Sequence, residues 1–304
     1  MNRSAMDNTV SLPGTFTSTN FTSNTSLACN PLGASSNAAL ITIYTIVLIG
    51  GSAGAAIMTW KIKTDRKSIT STAVINLVSV HTFFLLTLPF RISYYVLGEW
   101  KFGEIFCKLV SAMIHAHMYL CSMFYVAIVV MRMIGFFRER KTMQFYQPWH
   151  ASAASLGIWA LVLLAVFPLF LSYFESSNKD GKKCFEFTIT AASSYTKTMN
   201  CLAVIIVLTT FAVLLATQVG IFVQLVIRYQ DNLRNQQEFG AQTKTLLFIL
   251  VMICFVPYLG FRLFYINQVA TDPCSLSLNI TNEIFLALTA MSCFDVVIFL
   301  VAAY

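Results

Sequence analysis

The stretch AIVVMRMIGFF, from Ala127 to Phe137, places one arginine, Arg132, at the end of a long apolar run. An unpaired guanidinium at the centre of a bilayer costs at least ~2.5–3.5 kcal/mol. Arg132 therefore belongs near one end of a membrane span. There its head either snorkels to water as a positive anchor or contacts a protein partner.

The composition indicates a membrane protein. The chain has 304 residues, of which 57% are hydrophobic and 11% charged, whereas soluble domains carry about 25% charge. The net charge of +7 comes from bases in short loops, without a Lys/Arg-rich block or a Gly-rich phosphate loop, so no nucleic acid is expected as a partner. The sequence shows no nucleophile–base spacing and no metal-ligand pattern, so we expect no enzyme activity, cofactor or metal.

Seven apolar segments, numbered here as spans one to seven, predict an all-α bundle of seven transmembrane helices. Each is long enough to cross ~30 Å of hydrocarbon as a helix. Prolines inside spans two, four and six, at Pro89, Pro168 and Pro257, predict kinks. We find no internal repeat, which disfavours an inverted-repeat transporter. The segments are Ala38–Trp60, Ile69–Leu97, Ile105–Phe137, Ala151–Tyr173, Tyr195–Ile227, Thr243–Asn267 and Asn279–Ala303.

The orientation follows from the positive-inside rule. Slightly more than half of the lysines and arginines lie in the loops after spans one, three and five, which places the N-terminus outside. Residues 1–37 then form a polar extracellular tail, too short to pack a core, and residues 38–303 form the membrane domain. All four glycosylation motifs fall on the outer side, at Asn2, Asn20, Asn24 and Asn279.

The eight cysteines divide by side of the membrane. Four cysteines lie on the outer side and permit two disulfides, in any of three pairings. The other four lie within spans and are interpreted as small buried thiols. The outer cysteines are Cys29, Cys107, Cys184 and Cys274; those within spans are Cys121, Cys201, Cys254 and Cys293.

Several motifs in order resemble the rhodopsin-like G-protein-coupled receptors over essentially the whole chain. A Trp-x-Phe-Gly stretch precedes Cys107, Trp159 lies in span four, CFVPY begins at Cys254, and SCFDVVIF begins at Ser292. The extended stretch CFVPYLGFR, together with LPF at 88–90, is most similar to the nucleotide and lipid receptor branch.

The resemblance implies a multi-pass receptor of the cell membrane that senses an extracellular ligand and signals to heterotrimeric G proteins. It also implies the disulfides Cys107–Cys184 and Cys29–Cys274, and it makes Arg132 the residue that contacts the G-protein α-subunit.

Departures from the family pattern concentrate in the switch region, which comprises His81, Cys121, Phe255, Pro257 and Asp295. Because they touch most of the activation relay, a non-signalling or atypical binding receptor is the alternative. Because the sequence ends at Tyr304, directly after span seven, we expect no eighth helix and no tail for phosphorylation-dependent arrestin recruitment. Where the family pattern has an acid and an aromatic on either side of the arginine, this sequence has Met131 and Met133. The other departures are Gly51 in place of an Asn, His81 in place of an Asp, Phe255 in place of a Trp, Val296 in place of a Pro and Phe299 in place of a Tyr.

If the alignment holds, His81 and Asp295 lie near one mid-membrane cavity, with Cys121 close by. In the family this cavity holds a sodium ion, and an Asp stands at the position of His81. Because His81 is a potential cation, we expect that sodium does not bind there. The carboxylate favours a charged imidazole and burial disfavours it, so a charged pair and a neutral, hydrogen-bonded histidine both stay open. These polar groups, with His117, also permit a proton-conducting interpretation.

A ligand pocket is expected to open outward between spans three, five, six and seven. Ile114 stands where amine receptors of the family carry an acid, which argues against a cationic amine. Basic residues converging there would suit an anion. Alternatively, Arg262 pairs with Glu283, while Arg91 and Lys108 snorkel to the headgroups of membrane lipid. The candidates are Arg91, Lys108, His115, Tyr119, Arg262, Tyr265 and Glu283.

Overall fold

The computed structural model of the chain describes residues 34–64, 69–137, 148–174, 184–185, 194–227, 240, 242–243, 245–246, 249, 252–268 and 276–295. The tail motifs at Asn2, Asn20 and Asn24 and the predicted Cys29–Cys274 disulfide lie outside these residues.

The fold is an all-α seven-helix bundle, as predicted, and the helix ends of spans one to five lie within a few residues of the predicted ones. Spans one to five are the helices Ala34–Thr64, Ile69–Leu85 with Leu88–Leu97, Glu104–Phe137, Pro148–Phe174 and Ser194–Ile227. Span six contains a 3₁₀ turn, Ile253–Phe255, and the helix Val256–Gln268. Span seven contains the helix Leu276–Thr289 and a 3₁₀ turn, Ala290–Phe294.

Span two breaks where the sequence predicts it. The first helix ends at Leu85. A turn follows, closed by Thr87, whose backbone N–H and hydroxyl both donate to the Phe84 carbonyl. The second helix starts after this turn. Pro89 then lies in the first turn of that helix, where its missing N–H loses no hydrogen bond. The restarted helix buries Arg91 and Tyr95.

Span three is the centre of the bundle. Within the described residues, four helical segments are long and apolar enough to cross a membrane. The most apolar window of span three is 61% buried inside the protein, against 17% for span five, which faces outward. The four segments are Ser35–Lys61, Thr72–Leu97, Glu104–Met131 and Lys197–Ile227.

Spans two and four are joined by a polar contact inside the apolar layer. The Trp159 indole N–H donates to Asn76 Oδ1 at 3.0 Å, and the Asn76 amide donates to Ser155 Oγ at 3.0 Å. Because an amide that is half-buried in the apolar layer is costly to leave unpaired, this contact specifies how the two helices face each other.

Close approach of span one to spans two and seven explains Gly51. A Cβ added there would lie 3.0 Å from Leu85 Cδ2 and 3.2 Å from Cys293 Cβ. The space that a larger residue needs at this position is therefore filled by its neighbours.

Gly51→Ala is expected to destabilise the purified protein by about 1–3 kcal/mol, because overpacking forces Leu85 or the backbone of span seven to move. The measurement is the thermal unfolding midpoint in lipid nanodiscs. Gly157→Ala is the matched control, since a Cβ at Gly157 meets nothing within 4 Å. Equal midpoints for the two variants would show that span one does not pack as described.

Candidate functional site

Six polar side chains from spans two, three and seven meet in the middle of the bundle, and we call them the buried histidine cluster. All six residues are nine-tenths buried or more. Spans two and seven contribute across a long sequence separation, so only the folded bundle brings them together. The members are His81, His117, Cys121, Tyr125, Cys293 and Asp295.

The hydrogen bonds on one side of the His81 ring orient it. His81 Nε2 lies 3.2 Å from Asp295 Oδ2, and the Tyr125 hydroxyl donates to the same oxygen. A carboxylate oxygen accepts, so this contact places a proton on Nε2; in the neutral ring Nδ1 then keeps its lone pair.

The other side of the ring faces three potential partners. His81 Nδ1 lies 3.0 Å from His117 Nε2, 3.4 Å from Cys293 Sγ and 3.8 Å from Cys121 Sγ. Cys293 Sγ is also 3.7 Å from His117 Nε2. The ring of His117 stacks on Phe84 with centroids 4.2 Å apart, which holds its orientation.

The proximity of His81 to Asp295 agrees with the sequence-based expectation, and Cys121 lies beside them as expected. Two further switch candidates lie nearby: Phe255 is buried with its ring 6.2 Å from that of Tyr125, and Pro257 lies in the helix that follows. Sequence reasoning assigned no role to Tyr125 and interpreted Cys293 only as a buried thiol. The sequence has no local metal-ligand spacing, but the fold still brings metal-donor groups together from three spans.

Near the outer end, Arg91 is fully buried. Its Nη2 donates to the Val110 carbonyl at 3.1 Å, whereas its Nε and Nη1 have no hydrogen-bond partner within the described ranges. The Tyr44 hydroxyl is likewise buried and interacts with the Arg91 guanidinium, and the Tyr44 ring centroid lies 5.9 Å from Arg91 Cζ. The interpretation that Arg91 snorkels to lipid headgroups is therefore wrong, because span two turns it inward after the Pro89 break.

Phe185 covers Arg91 from the second outer loop. Its ring centroid lies 4.3 Å from Arg91 Cζ, a cation–π distance. The preceding residue forms the predicted Cys107–Cys184 disulfide, which the structure confirms with Cα atoms 5.8 Å apart. Phe185 itself has a φ of 66°, a left-handed backbone conformation that few non-glycine residues adopt. The disulfide thus fixes the aromatic cover at the top of span three.

The other predicted pocket residues separate into different surroundings. Lys108 forms an i,i+4 ion pair of 2.6 Å with Glu104. Arg262 Nη1 lies 3.5 Å from Asn282 Oδ1, and the Glu283 carboxylate accepts from the Tyr95 hydroxyl at 3.2 Å.

Aromatic residues complete the outer region. The Tyr265 hydroxyl donates to Asn279 Oδ1 at 2.9 Å, so this glycosylation motif lies within a helix with its side chain engaged. His115 Nδ1 lies 3.5 Å from the Tyr258 hydroxyl, and Tyr119 is half-buried one turn further along span three.

Arg132 lies in the last turns of the span-three helix, which ends at Phe137. The structure describes its backbone but not its side chain, so the predicted contact with a G protein stays a prediction. Met131 and Met133 on either side are half-buried.

The protein family described as "7 transmembrane receptor (rhodopsin family)" matches residues 53–295 of this chain, from span one to the buried Asp295. The chain belongs to the rhodopsin family of seven-transmembrane receptors. It is therefore a multi-pass protein of the cell membrane, and its family is one of receptors rather than enzymes.

Individual relatives agree with this assignment. Probable G-protein coupled receptor 141 of Homo sapiens is 44% identical over 264 residues, covering 86% of this chain and 87% of the relative. The 2-oxoglutarate receptor 1 of Rattus norvegicus is 23% identical, covering 80% of this chain and 72% of the relative. The N-arachidonyl glycine receptor of Homo sapiens is 25% identical, with 73% and 68% covered.

Proposed function

We propose that this rhodopsin-family receptor recognises an extracellular acid through Arg91 and signals to heterotrimeric G proteins. Signalling through G proteins is the expectation for the family. The choice of an acid rests on one observation, the buried Arg91 guanidinium with two unused nitrogens.

A buried guanidinium demands acceptors. Desolvating a charge without hydrogen bonds costs several kcal/mol, and the Val110 carbonyl satisfies only Nη2. The free Nε–H and Nη1 N–H groups lie on different edges of the planar guanidinium. On one edge the second N–H of Nη2 completes a two-donor fork, which suits the two oxygens of a carboxylate or a phosphate. The neighbouring Tyr44 hydroxyl offers a third donor.

Glu283 does not replace such a ligand. It interacts electrostatically with Arg91, but the hydrogen bond it accepts comes from Tyr95. The relatives' names also point to acids, since 2-oxoglutarate and N-arachidonyl glycine carry carboxyl groups.

The test measures G-protein nucleotide turnover in membranes that contain the full chain. The probes are a short dicarboxylic acid, a lysophosphatidic acid and an N-acyl amino acid, each beside its neutral methyl ester. We expect at least one acid, but not its ester, to raise turnover. Arg91→Gln should raise the half-maximal concentration about 10- to 100-fold, since hydrogen bonds to a charged group contribute about 1.5–3 kcal/mol.

Two further variants make the result specific. Arg91→Lys retains the charge but loses the planar fork, so it should restore only part of the response. Lys101→Gln is the matched control, because Lys101 is an exposed outer-side cation paired with Glu99. Equal responses of Arg91→Gln and wild type, at equal surface expression, would contradict the acid site.

The altered switch region supports the alternative of a binding receptor that does not signal. Phe255 and the His81–Asp295 contact lie in the activation relay, at positions where this sequence departs from the family pattern. Saturable binding of an acid without turnover of any G-protein family would favour that alternative and leave the Arg91 site standing.

A further inference from the structure

The geometry points to a transition-metal site, suited to Zn²⁺, at the buried histidine cluster. Its ligands are His81 Nδ1, His117 Nε2, Cys121 Sγ and Cys293 Sγ. The site is independent of the proposed ligand and of coupling to G proteins, and it joins spans two, three and seven at their centre.

The first argument is the number of groups that converge on one lone pair. When Nε2 donates to Asp295, the neutral ring of His81 has a single lone pair, on Nδ1, which accepts one good hydrogen bond. Three candidate partners lie within 3.8 Å of it: one imidazole nitrogen and two thiol sulfurs. A metal ion bound at that lone pair uses all four groups at once.

The second argument is the spacing. A tetrahedral zinc site with Zn–N near 2.0–2.1 Å and Zn–S near 2.3 Å separates its ligand atoms by about 3.4 Å for N···N and about 3.6 Å for N···S. The corresponding distances are 3.0 Å for the two nitrogens and 3.4, 3.7 and 3.8 Å for three of the four nitrogen–sulfur pairs. The donor atoms of His81, His117 and Cys121 all lie within 4.8 Å of one another. For these three donors, small side-chain shifts suffice to reach bonding distance, and Cys293 Sγ joins them through its contacts with both nitrogens.

The third argument is the chemistry of the donors. Two imidazoles and two thiols form a Cys₂His₂ set, which selects a borderline-soft ion over hard ions such as sodium that prefer oxygen. Each Zn–S bond releases the thiol proton to solvent, and two thiolates balance the 2+ charge inside the bundle.

The surroundings of the ligands match a metal site. Asp295 accepts from the far nitrogen of His81, and Tyr125 donates to the same carboxylate, the arrangement that orients a ligating histidine. Phe84 fixes the ring of His117 by stacking. His117 Nδ1 has no hydrogen-bond partner among the described side chains. A metal bound at Nε2 would not change this, so the unpaired Nδ1 is not evidence for the site. The evidence is that two thiols lie beside the His81 nitrogen.

The experiment uses the full chain, purified through an affinity tag that contains no histidine, from cells grown with zinc. Elemental analysis should find about one zinc per chain, as a closed four-ligand site requires. After removal of zinc with a chelator, Co²⁺ should restore the site and produce a sulfur-to-cobalt charge-transfer band. Zinc should raise the thermal unfolding midpoint, whereas sodium should not.

Matched variants localise the ion. Cys121→Ala with Cys293→Ala should remove the charge-transfer band and most of the bound zinc, and His117→Phe should do so without touching a thiol. Asp295→Asn should retain binding but weaken it about 10- to 100-fold, as for other partners of ligating histidines. The controls are Cys201→Ala and His150→Phe, a cysteine and a histidine outside the cluster.

The wild-type result decides the matter even if a variant fails to fold. Folded wild-type protein with negligible zinc after growth in zinc, and without a cobalt band, would overturn the site. Retention of stoichiometric zinc in folded Cys121→Ala/Cys293→Ala protein would overturn it as well. Either result would leave a purely hydrogen-bonded cluster, in which His117 Nε2–H donates to His81 Nδ1.

Discussion

Cys107→Ala is expected to remove most of the receptor from the cell surface. The disulfide to Cys184 closes a sequence separation of 77 residues and fixes the second outer loop to the top of span three. Loss of a native disulfide typically costs about 2–5 kcal/mol, a large part of the 5–15 kcal/mol that stabilises a typical protein. The loop that carries Phe185 over Arg91 loses its attachment at the same time.

The measurement is surface antibody binding on intact cells divided by total expression. Cys184→Ala should reproduce the loss, and the double variant should be no worse than either single one, because both remove the same bond. Cys201→Ala, a free thiol in span five, should match wild type. Cys29→Ala should cause a smaller loss, since it removes only the predicted attachment of the tail. Normal surface levels of Cys107→Ala would show that the bundle does not depend on this bond.

The architecture was predictable because hydropathy and proline act locally. A run of apolar residues reports a span wherever it occurs, and Pro89 breaks span two without reference to any other helix. The Cys107–Cys184 pairing came from the family resemblance, because the cysteines alone left three pairings open.

The buried histidine cluster was predictable only in part. The proximity of His81 and Asp295 followed from aligning two spans to the family. The convergence of His117 and Cys293 on the same point depends on how spans three and seven are rotated about their axes. Rotation is set by packing of the whole bundle, and no local pattern in the sequence records it.

The outer site shows the same limit. Sequence grouped Arg91, Lys108 and Arg262 as one basic set, because all three lie in the outer third of their spans. The structure gives Lys108 a partner one turn away and buries Arg91 beneath Phe185. Phe185 lies in a loop without periodicity, so nothing in the sequence indicated that it covers the arginine.

Arg132→Ala is expected to abolish ligand-independent G-protein signalling while surface expression stays at the wild-type level. The prediction rests on the proposed function and on the sequence around the arginine. Met131 and Met133 flank it, so the acid that holds the arginine in the family's inactive state is missing. Without that charge-assisted pair, which contributes about 1.5–3 kcal/mol, the active state is penalised less and basal turnover should be measurable.

Met131→Asp tests the cause directly, because it returns an acid to the position before the arginine. Basal turnover should fall about tenfold or more, as expected for a charge-assisted bond of that strength. Met131→Asn, similar in size but uncharged, should leave basal turnover near wild type. Nucleotide turnover is measured for each G-protein family at matched surface expression. Equal turnover in Met131→Asp and Met131→Asn would show that the missing acid does not set basal activity, and no basal turnover in wild type would favour the non-signalling alternative.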